Sequence, residues 1–498
     1  MNAKFMRKNL IASIVSMVIQ FLQSLWITSY IQRIMGVEAY GYISVIVNIV
    51  NMAGIITVAL TSVCSRYMVI ELETKNKENI NRLFNTIYYS LLLISVVCLC
   101  TFGIMSFNVT AFMNVSPEYV QQVSILLIIV GIDFVLQLLQ VPYLSIFYFE
   151  EKIYYTYYTT MFSNIFKVIV VVICFTAYEP VVWAAYLGSI FINVGALGVY
   201  NCYVRKKYFY IKKTLKYFKT EKLKEILSSG IWVSLSKLAA TLLSSCSTYL
   251  VNILIGVYMA GIYGSVSQIQ SILSFITVAI VNVFLPRMFK LYAVKGEKNG
   301  LIKYTRESLK VLSILLGIVT GGLIVYGAQF MSLWISEEYL EYKWLLSISV
   351  CYLALSYSAE MINQLLITIN KTKVPAIVSA IAGIANIILA IFFDEMFKAG
   401  IYGIALAQLI VLCFRSGIWM PIYAAKCVKQ KWHIFMVKQM ACFKSIIMTV
   451  IVGYFINCAI QVDSWLTLIL AGGFTGILVL GLLIVVDSDV RVFLKKII

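Results

Sequence analysis

About fourteen apolar blocks of roughly 20 to 27 residues, separated by short polar stretches, run the length of this chain. A helix rising about 1.5 Å per residue needs a block of that length to cross about 30 Å of hydrocarbon. Of 498 residues, 61% are hydrophobic and 12% charged, whereas soluble proteins carry about 25% charge. A water-soluble globular enzyme is therefore excluded, and the expected fold is an all-α integral membrane bundle. Fourteen spans of about 24 residues use roughly 336 positions and leave no separate soluble domain of typical size. Function must lie inside the bundle.

The first seven expected spans are Leu10 to Ile34, Gly41 to Cys64, Leu83 to Phe107, Val120 to Tyr148, Ile153 to Tyr178, Val181 to Val204 and Ile226 to Ile255. The next seven are Gly261 to Leu285, Val311 to Leu333, Trp344 to Ile369, Pro375 to Phe397, Gly400 to Ala425, Ser445 to Ile460 and Trp465 to Val486. Lys4, Arg7 and Lys8 precede the first apolar run, which is longer than the apolar region of a secretory leader and lacks a small-residue cleavage site, so it is expected to stay as span one. Short cytoplasmic loops collect Lys and Arg, which tests the count. With the N-terminus inside, 34 of the 40 basic residues fall in inside segments. Arg33, Lys343 and Lys398 fall outside, and Lys167, Lys237 and Arg415 fall within spans. Both termini are thus expected on the cytoplasmic side. The net charge of +18 reads as a topology signal, and no nucleic-acid partner is expected.

The single histidine, His433, excludes histidine pairs and multi-histidine metal sites. The eleven cysteines show no C-x-x-C ladder, and the closest pair, Cys98 and Cys100, lies inside one apolar span, so no disulfide framework is expected. No metal, cofactor or catalytic residue is expected. The outside loops are all short, which counts against a membrane glycosyltransferase or polymerase, since such enzymes need an external loop or domain to build a site. The basic segment Arg205 to Glu225 divides the chain. Its Ile211, Leu215 and Phe218 recur at i, i+4 and i+7, consistent either with an amphipathic helix on the inner leaflet, its lysines facing anionic headgroups, or with a solvated linker.

The two halves repeat. Gly36, Val37 and Gly41 match Gly256, Val257 and Gly261 at an offset of 220, as Ser16, Ser24 and Thr28 match Ser236, Ser244 and Thr248. Arg66 and Arg287 are 221 apart; Asn164, Ile165 and Ala185 match Asn386, Ile387 and Ala407 at 222. Spans one to six thus correspond to seven to twelve. Six is even, so the copies share an orientation, a parallel repeat about an axis along the membrane normal. The expected divisions are an N-lobe over 1–204, the basic linker over 205–225, a C-lobe over 226–425, and a basic loop with spans thirteen and fourteen over 426–498.

The G-V-x-x-x-G turns after spans one and seven, the Asn386 span leading into Gly400-Ile-Tyr-Gly403-Ile-Ala405, the six-six-two layout and the basic central loop together resemble the polysaccharide flippases. These belong to the multidrug/oligosaccharidyl-lipid/polysaccharide (MOP) exporter superfamily. The resemblance spans essentially the whole chain. It implies MATE-like lobes in a bacterial cytoplasmic membrane, and translocation of undecaprenyl-pyrophosphate-linked oligosaccharide repeat units by alternating access for polysaccharide biosynthesis. It also implies membrane lipids, polymerase or assembly proteins, and a coupling proton or sodium ion as partners. It carries no universal catalytic motif, so site residues must come from this chain.

Polar stripes at helical spacing should face other helices or a water-filled cavity. Span one carries Ser13, Ser16, Gln20 and Gln23, and span seven Ser234, Lys237, Thr241, Ser244 and Thr248. Span four adds Asp133, Gln137 and Gln140; span five Tyr157, Thr160, Asn164 and Lys167; span ten Ser356, Glu360 and Gln364. For Ser and Thr alone, helix-to-helix glue is the stronger reading. An anionic pyrophosphate head with hydroxyl-rich sugars calls for cations beside amides and hydroxyls. Lys237 and Arg415 are the candidates to receive the pyrophosphate, with Lys167, Gln20, Gln23 and Asn164 as further substrate contacts. Asp133 and Lys167 lie at similar depth on consecutive spans, so they form either a structural ion pair or part of an ion-coupling site. Glu360 is the stronger candidate for a coupling carboxylate. The alternatives are a multidrug cation antiporter, which should have an acidic cavity, a lipid II flippase, and, from another class, a membrane glycosyltransferase or polymerase.

Overall fold

The computed structural model describes residues 3–74, 76–218, 238, 241–243, 245–293 and 298–486. All regular structure among them is helical. Twelve helices among the described residues are long and apolar enough to cross a membrane. Spans one and two share one of the twelve, and span seven lies largely outside the described residues, which together reconcile them with fourteen. Two compact units emerge, Met1–Gly261 and Ile262–Ile498.

In the first unit, spans one and two form the helix Ala3–Thr74, broken at Gly36 with φ 87° and ψ 172°. Only glycine enters that region without steric cost. Its repeat mate Gly256 turns the chain with φ 135°. The second glycine of each motif serves close approach. A Cβ on Gly41 would overlap the Val257 carbonyl oxygen, and a Cβ on Gly261 would overlap that of Val37. The two G-V-x-x-x-G motifs therefore cross each other reciprocally, backbone against backbone, as small residues allow between membrane helices.

A second clamp joins the same regions. Asn114 donates from Nδ2 to the Asn252 carbonyl at 2.6 Å, the Asn114 amide donates to Asn252 Oδ1 at 3.0 Å, and Tyr249 Oη donates to the Phe112 carbonyl at 2.7 Å. These contacts explain why the first compact unit runs on to Gly261, where the sequence placed the break between lobes in the basic linker.

Span four, Val120–Phe149, is the axis of this unit, packed by the helices of spans one, three and six. Gly131 lets Phe102 of span three approach, since a Cβ there would stand 2.9 Å from the Phe102 ring. The bundle keeps an apolar core but also exposes apolar side chains outward, and gathers its polar side chains inside. On span one Ser16 is buried, whereas Ile14, Val18 and Leu22, one turn apart, are exposed.

Of the two readings of the basic segment, its described part after Lys207 takes the linker form, and residues 219–225 lie outside the described residues. Residues 208–214 form no helix, and only a 3-10 turn, Leu215–Tyr217, follows. Asn81 and Asn85, one turn apart on the helix Lys77–Phe107, capture its backbone instead. Asn81 Nδ2 donates to the Tyr210 carbonyl at 3.1 Å and Asn85 Nδ2 to that of Lys212 at 2.8 Å. The Lys212 and Thr214 amides donate back to their Oδ1 atoms at 3.2 and 2.9 Å. These tertiary bonds satisfy the linker backbone and override the weak i, i+4, i+7 pattern.

In the second unit, span nine, Lys298–Trp334, packs tightly on span thirteen, with Gly317 under the Cys442 carbonyl and Gly321 under Thr449. Span ten is not one helix but three, Lys343–Cys351, Leu353–Ser358 and Glu360–Thr368. Span twelve is interrupted by a π-helical turn, Cys413–Trp419. Both irregular stretches hold charged residues, and π turns recur at functional sites.

Candidate functional site: a polar cavity in the first unit and a charged cluster in the second

Spans one, two, four, five and six enclose a cavity of about 510 Å³ within the first unit. Its lining includes Gln20, Asn51, Asp133, Gln137, Gln140, Thr156, Thr159, Thr160, Ser163, Asn164, Lys167 and Asn193. Four of the residues selected from the sequence, Gln20, Asp133, Asn164 and Lys167, meet here. Gln23 is half-buried on the same helix as Gln20 and is not among the lining residues.

Asp133, buried on the wrapped span-four helix, is held by amides. Asn193 Nδ2 donates to Oδ1 at 2.8 Å and Gln137 Nε2 to Oδ2 at 2.8 Å. Gln140 Nε2 in turn donates to Asn193 Oδ1 at 3.0 Å, fixing which way the Asn193 amide faces. Lys167 lies elsewhere, its Nζ 4.2 Å from the centre of the Tyr186 ring, a cation–π geometry. Gly188 brings span six that close to span five, since a Cβ there would lie 2.9 Å from Lys167 Cα. Among the described residues Asp133 and Lys167 form no direct ion pair. The Asn164 Nδ2 is buried without a hydrogen-bond partner. An unmet buried donor costs about 1–3 kcal/mol, which a ligand oxygen at that point would recover.

In the second unit Glu360 and Arg415 anchor a separate polar cluster. Glu360 Oε1 accepts from Gln364 Nε2 at 2.7 Å and from Asn363 Nδ2 at 3.2 Å. Arg415, on the π turn, donates from Nε to Ser379 Oγ at 2.8 Å and from Nη1 to Ser416 Oγ at 3.3 Å. The two charges attract across the cluster without a direct ion pair among the described residues. Among the described residues its hydrogen bonds go to hydroxyls, which leaves its charge able to receive an anion. Lys237 lies outside the described residues.

Sequence reasoning missed Asn193, a lone amide in an apolar span. A signal was present: Arg415 follows Asn193 by 222 positions, the offset that joins Asn164 to Asn386 and Ala185 to Ala407. The two repeats thus place an amide and a guanidinium at equivalent points, each beside an acid-bearing span.

At the basic end of the first unit, Glu150 follows span four with its side chain buried. It accepts from Lys152 and Lys207 at 2.9 Å each, from Tyr203 at 2.5 Å and from Tyr208 at 2.9 Å. Burial by itself would raise this carboxyl, but the four donors, Lys207 foremost, overcome it and hold Glu150 below the usual carboxylate range.

A many-helix apolar bundle with a polar cavity inside its first unit is the architecture of a multi-pass membrane transporter. The chain belongs to the polysaccharide biosynthesis protein family, whose model matches residues 6–292. It is 25% identical over 469 residues to the uncharacterized membrane protein EpsK of Bacillus subtilis strain 168, covering 93% of this chain and 92% of that protein. Its fold is similar to a lipid II flippase MurJ in an inward closed conformation, with a TM-score of 0.75 at 18% identity, covering 95% of this chain and 99% of the other. An inward-facing MATE multidrug transporter is also similar, with a TM-score of 0.69 at 15% identity over 83% and 94% of the two chains.

Proposed function

We propose that this protein translocates undecaprenyl-pyrophosphate-linked oligosaccharide repeat units across a bacterial cytoplasmic membrane by alternating access, with both termini cytoplasmic. The observation that carries this reading is the first-unit cavity, in which one lysine stands among amides and hydroxyls. Sugar hydroxyls are donors and acceptors at once and match Gln20, Asn164 and the threonines of span five. A carrier of lipophilic cations would instead present carboxylates against apolar and aromatic walls. Here the one acid among the described lining residues, Asp133, accepts from two amides.

In this scheme Lys237 and Arg415 receive the pyrophosphate, while Lys167, Gln20, Gln23 and Asn164 contact the substrate from the first repeat. Glu360 and Asp133 are the carboxylates through which a proton or sodium ion couples to transport. Polymerase or assembly proteins take the product, and the chain itself performs no covalent chemistry. The likeness to a lipid II flippase favours a second reading, in which the lipid-linked cargo is the peptidoglycan precursor.

Deleting the gene distinguishes these. The first reading requires lipid-linked repeat units to accumulate at the inner leaflet while surface polysaccharide disappears. Accumulation of lipid II with intact polysaccharide would move the cargo to the second. Intact polysaccharide with new sensitivity to cationic drugs would make the protein a multidrug antiporter.

A further inference from the structure

The basic end of the first unit holds a second cavity, of about 320 Å³, apart from the polar cavity and from every residue given a role in transport. Its walls include Phe84, Asn201, Arg205, Phe209, Lys212 and Lys213, three cations and no carboxylate. We propose that this pocket binds the phosphate of an anionic phospholipid headgroup.

Among the described residues none of the three cations has an acidic partner. The nearby carboxylate of Glu150 is already held by Lys152 and Lys207. Lys213, half-buried, donates from Nζ only to neutral oxygens, Tyr143 Oη at 2.5 Å and Asn201 Oδ1 at 2.9 Å, and its Nζ sits 4.7 Å from the Tyr88 ring centre. Burial first, and then the neighbouring Arg205, pull its ammonium below the usual lysine range. A phosphate in the pocket would relieve both.

The site is also built rather than incidental. Asn81 and Asn85 pin the backbone from Tyr210 to Thr214, so Lys212 and Lys213 are presented on a fixed strand of chain. Little ordering remains to oppose binding. The pocket begins in the last turn of the span-six helix, Ala184–Lys207, where the apolar run ends in Arg205, Lys206 and Lys207, the pattern of a span reaching the headgroups. Phe209 on the pocket wall is 74% exposed, and Leu215 just past it in sequence is 69% exposed, apolar side chains suited to acyl chains and out of place around a soluble ion. Basic pockets at this depth recognise anionic headgroups, and each cation near the surface contributes about 1 kcal/mol. The proposal is independent of the cargo.

The test uses the full-length protein, delipidated in neutral detergent, with native mass spectrometry to read bound phosphatidylglycerol, phosphatidylcholine or inorganic phosphate. The wild type should retain phosphatidylglycerol in preference to phosphatidylcholine, and Lys212→Gln/Lys213→Gln should weaken that retention on the order of tenfold. The pair Arg205→Gln/Lys212→Gln leaves the Lys213 bridge to Tyr143 and Asn201 intact and should reduce retention with an unchanged thermal unfolding midpoint. Undiminished phosphatidylglycerol on both variants, or equal retention of the two lipids by the wild type, would overturn the proposal. Displacement of phosphatidylglycerol by millimolar inorganic phosphate would overturn the lipid as source and leave a soluble-anion site.

Discussion

Asn193 donates from Nδ2 to the Asp133 carboxylate at 2.8 Å, linking spans six and four at the wall of the cavity. With Gln137 on the other oxygen, the carboxylate is buried but fully satisfied. Replacing Asn193 with Leu removes one of two donors and leaves half the carboxylate bare. We expect a loss of about 1–3 kcal/mol of stability, measured by thermal unfolding in detergent. Asp133→Asn paired with Asn193→Asp, which keeps a hydrogen bond, should restore much of it; no recovery would mean the pair does not act as a unit.

Lys167 and Asn164 line the same cavity with their donors uncommitted to any carboxylate. Lys167→Met and Asn164→Leu should each cut surface polysaccharide in a complementation assay while the protein still reaches the membrane in normal amount. Asn164→Leu also removes an unsatisfied buried donor, so its unfolding midpoint should hold or rise. Normal export by both variants would remove this cavity from the substrate path.

Among the described residues Arg415 donates to the Ser379 and Ser416 hydroxyls. Arg415→Ala should abolish export, and Arg415→Lys should recover it only partly, because a lysine keeps the charge without the planar fork. Full export by Arg415→Ala would exclude this residue as the pyrophosphate partner.

Glu150 is held by two lysines and two tyrosines with its carboxyl below the usual range. A group whose folded value is depressed contributes stability above its unfolded value, about 4.3 for Glu, and loses it as pH falls through the folded value. Thermal midpoints taken from about pH 5 down to about pH 2 should therefore drop for the wild type and change less for Glu150→Gln. At neutral pH that substitution should cost about 1–3 kcal/mol, since it weakens four hydrogen bonds to the buried carboxylate while the half-exposed Lys207 is taken up by solvent.

Gly41 and Gly261 each face a carbonyl oxygen of the other motif. Gly41→Val or Gly261→Val should prevent assembly, seen as degradation or aggregation during expression. Gly36→Ala strains a positive φ without meeting any neighbour and should cost only about 1–2 kcal/mol.

Block length and basic-loop pattern were enough to define a many-span helical bundle, because hydrocarbon thickness and the need to satisfy backbone polar groups within a segment leave no other fold. The repeat offset names the glycines of both crossing motifs and joins Asn164 to Asn386. It also gathered Gln20, Asp133, Asn164 and Lys167 as inward-facing, because polar side chains on spans must turn from lipid. Which of them touch was decided only by the tertiary structure. Equal depth on consecutive spans put Asp133 beside Lys167, but rotation of the helices about their axes gave the carboxylate to Asn193 and Gln137 and the ammonium to the Tyr186 ring. The linker followed the same logic. Its apolar spacing suggested a helix, and two asparagines 127 to 131 residues away in sequence supplied its backbone with better partners. Local pattern fixes what must be buried in lipid or protein, whereas hydrogen-bond partners depend on which distant helices the packing brings within about 3 Å.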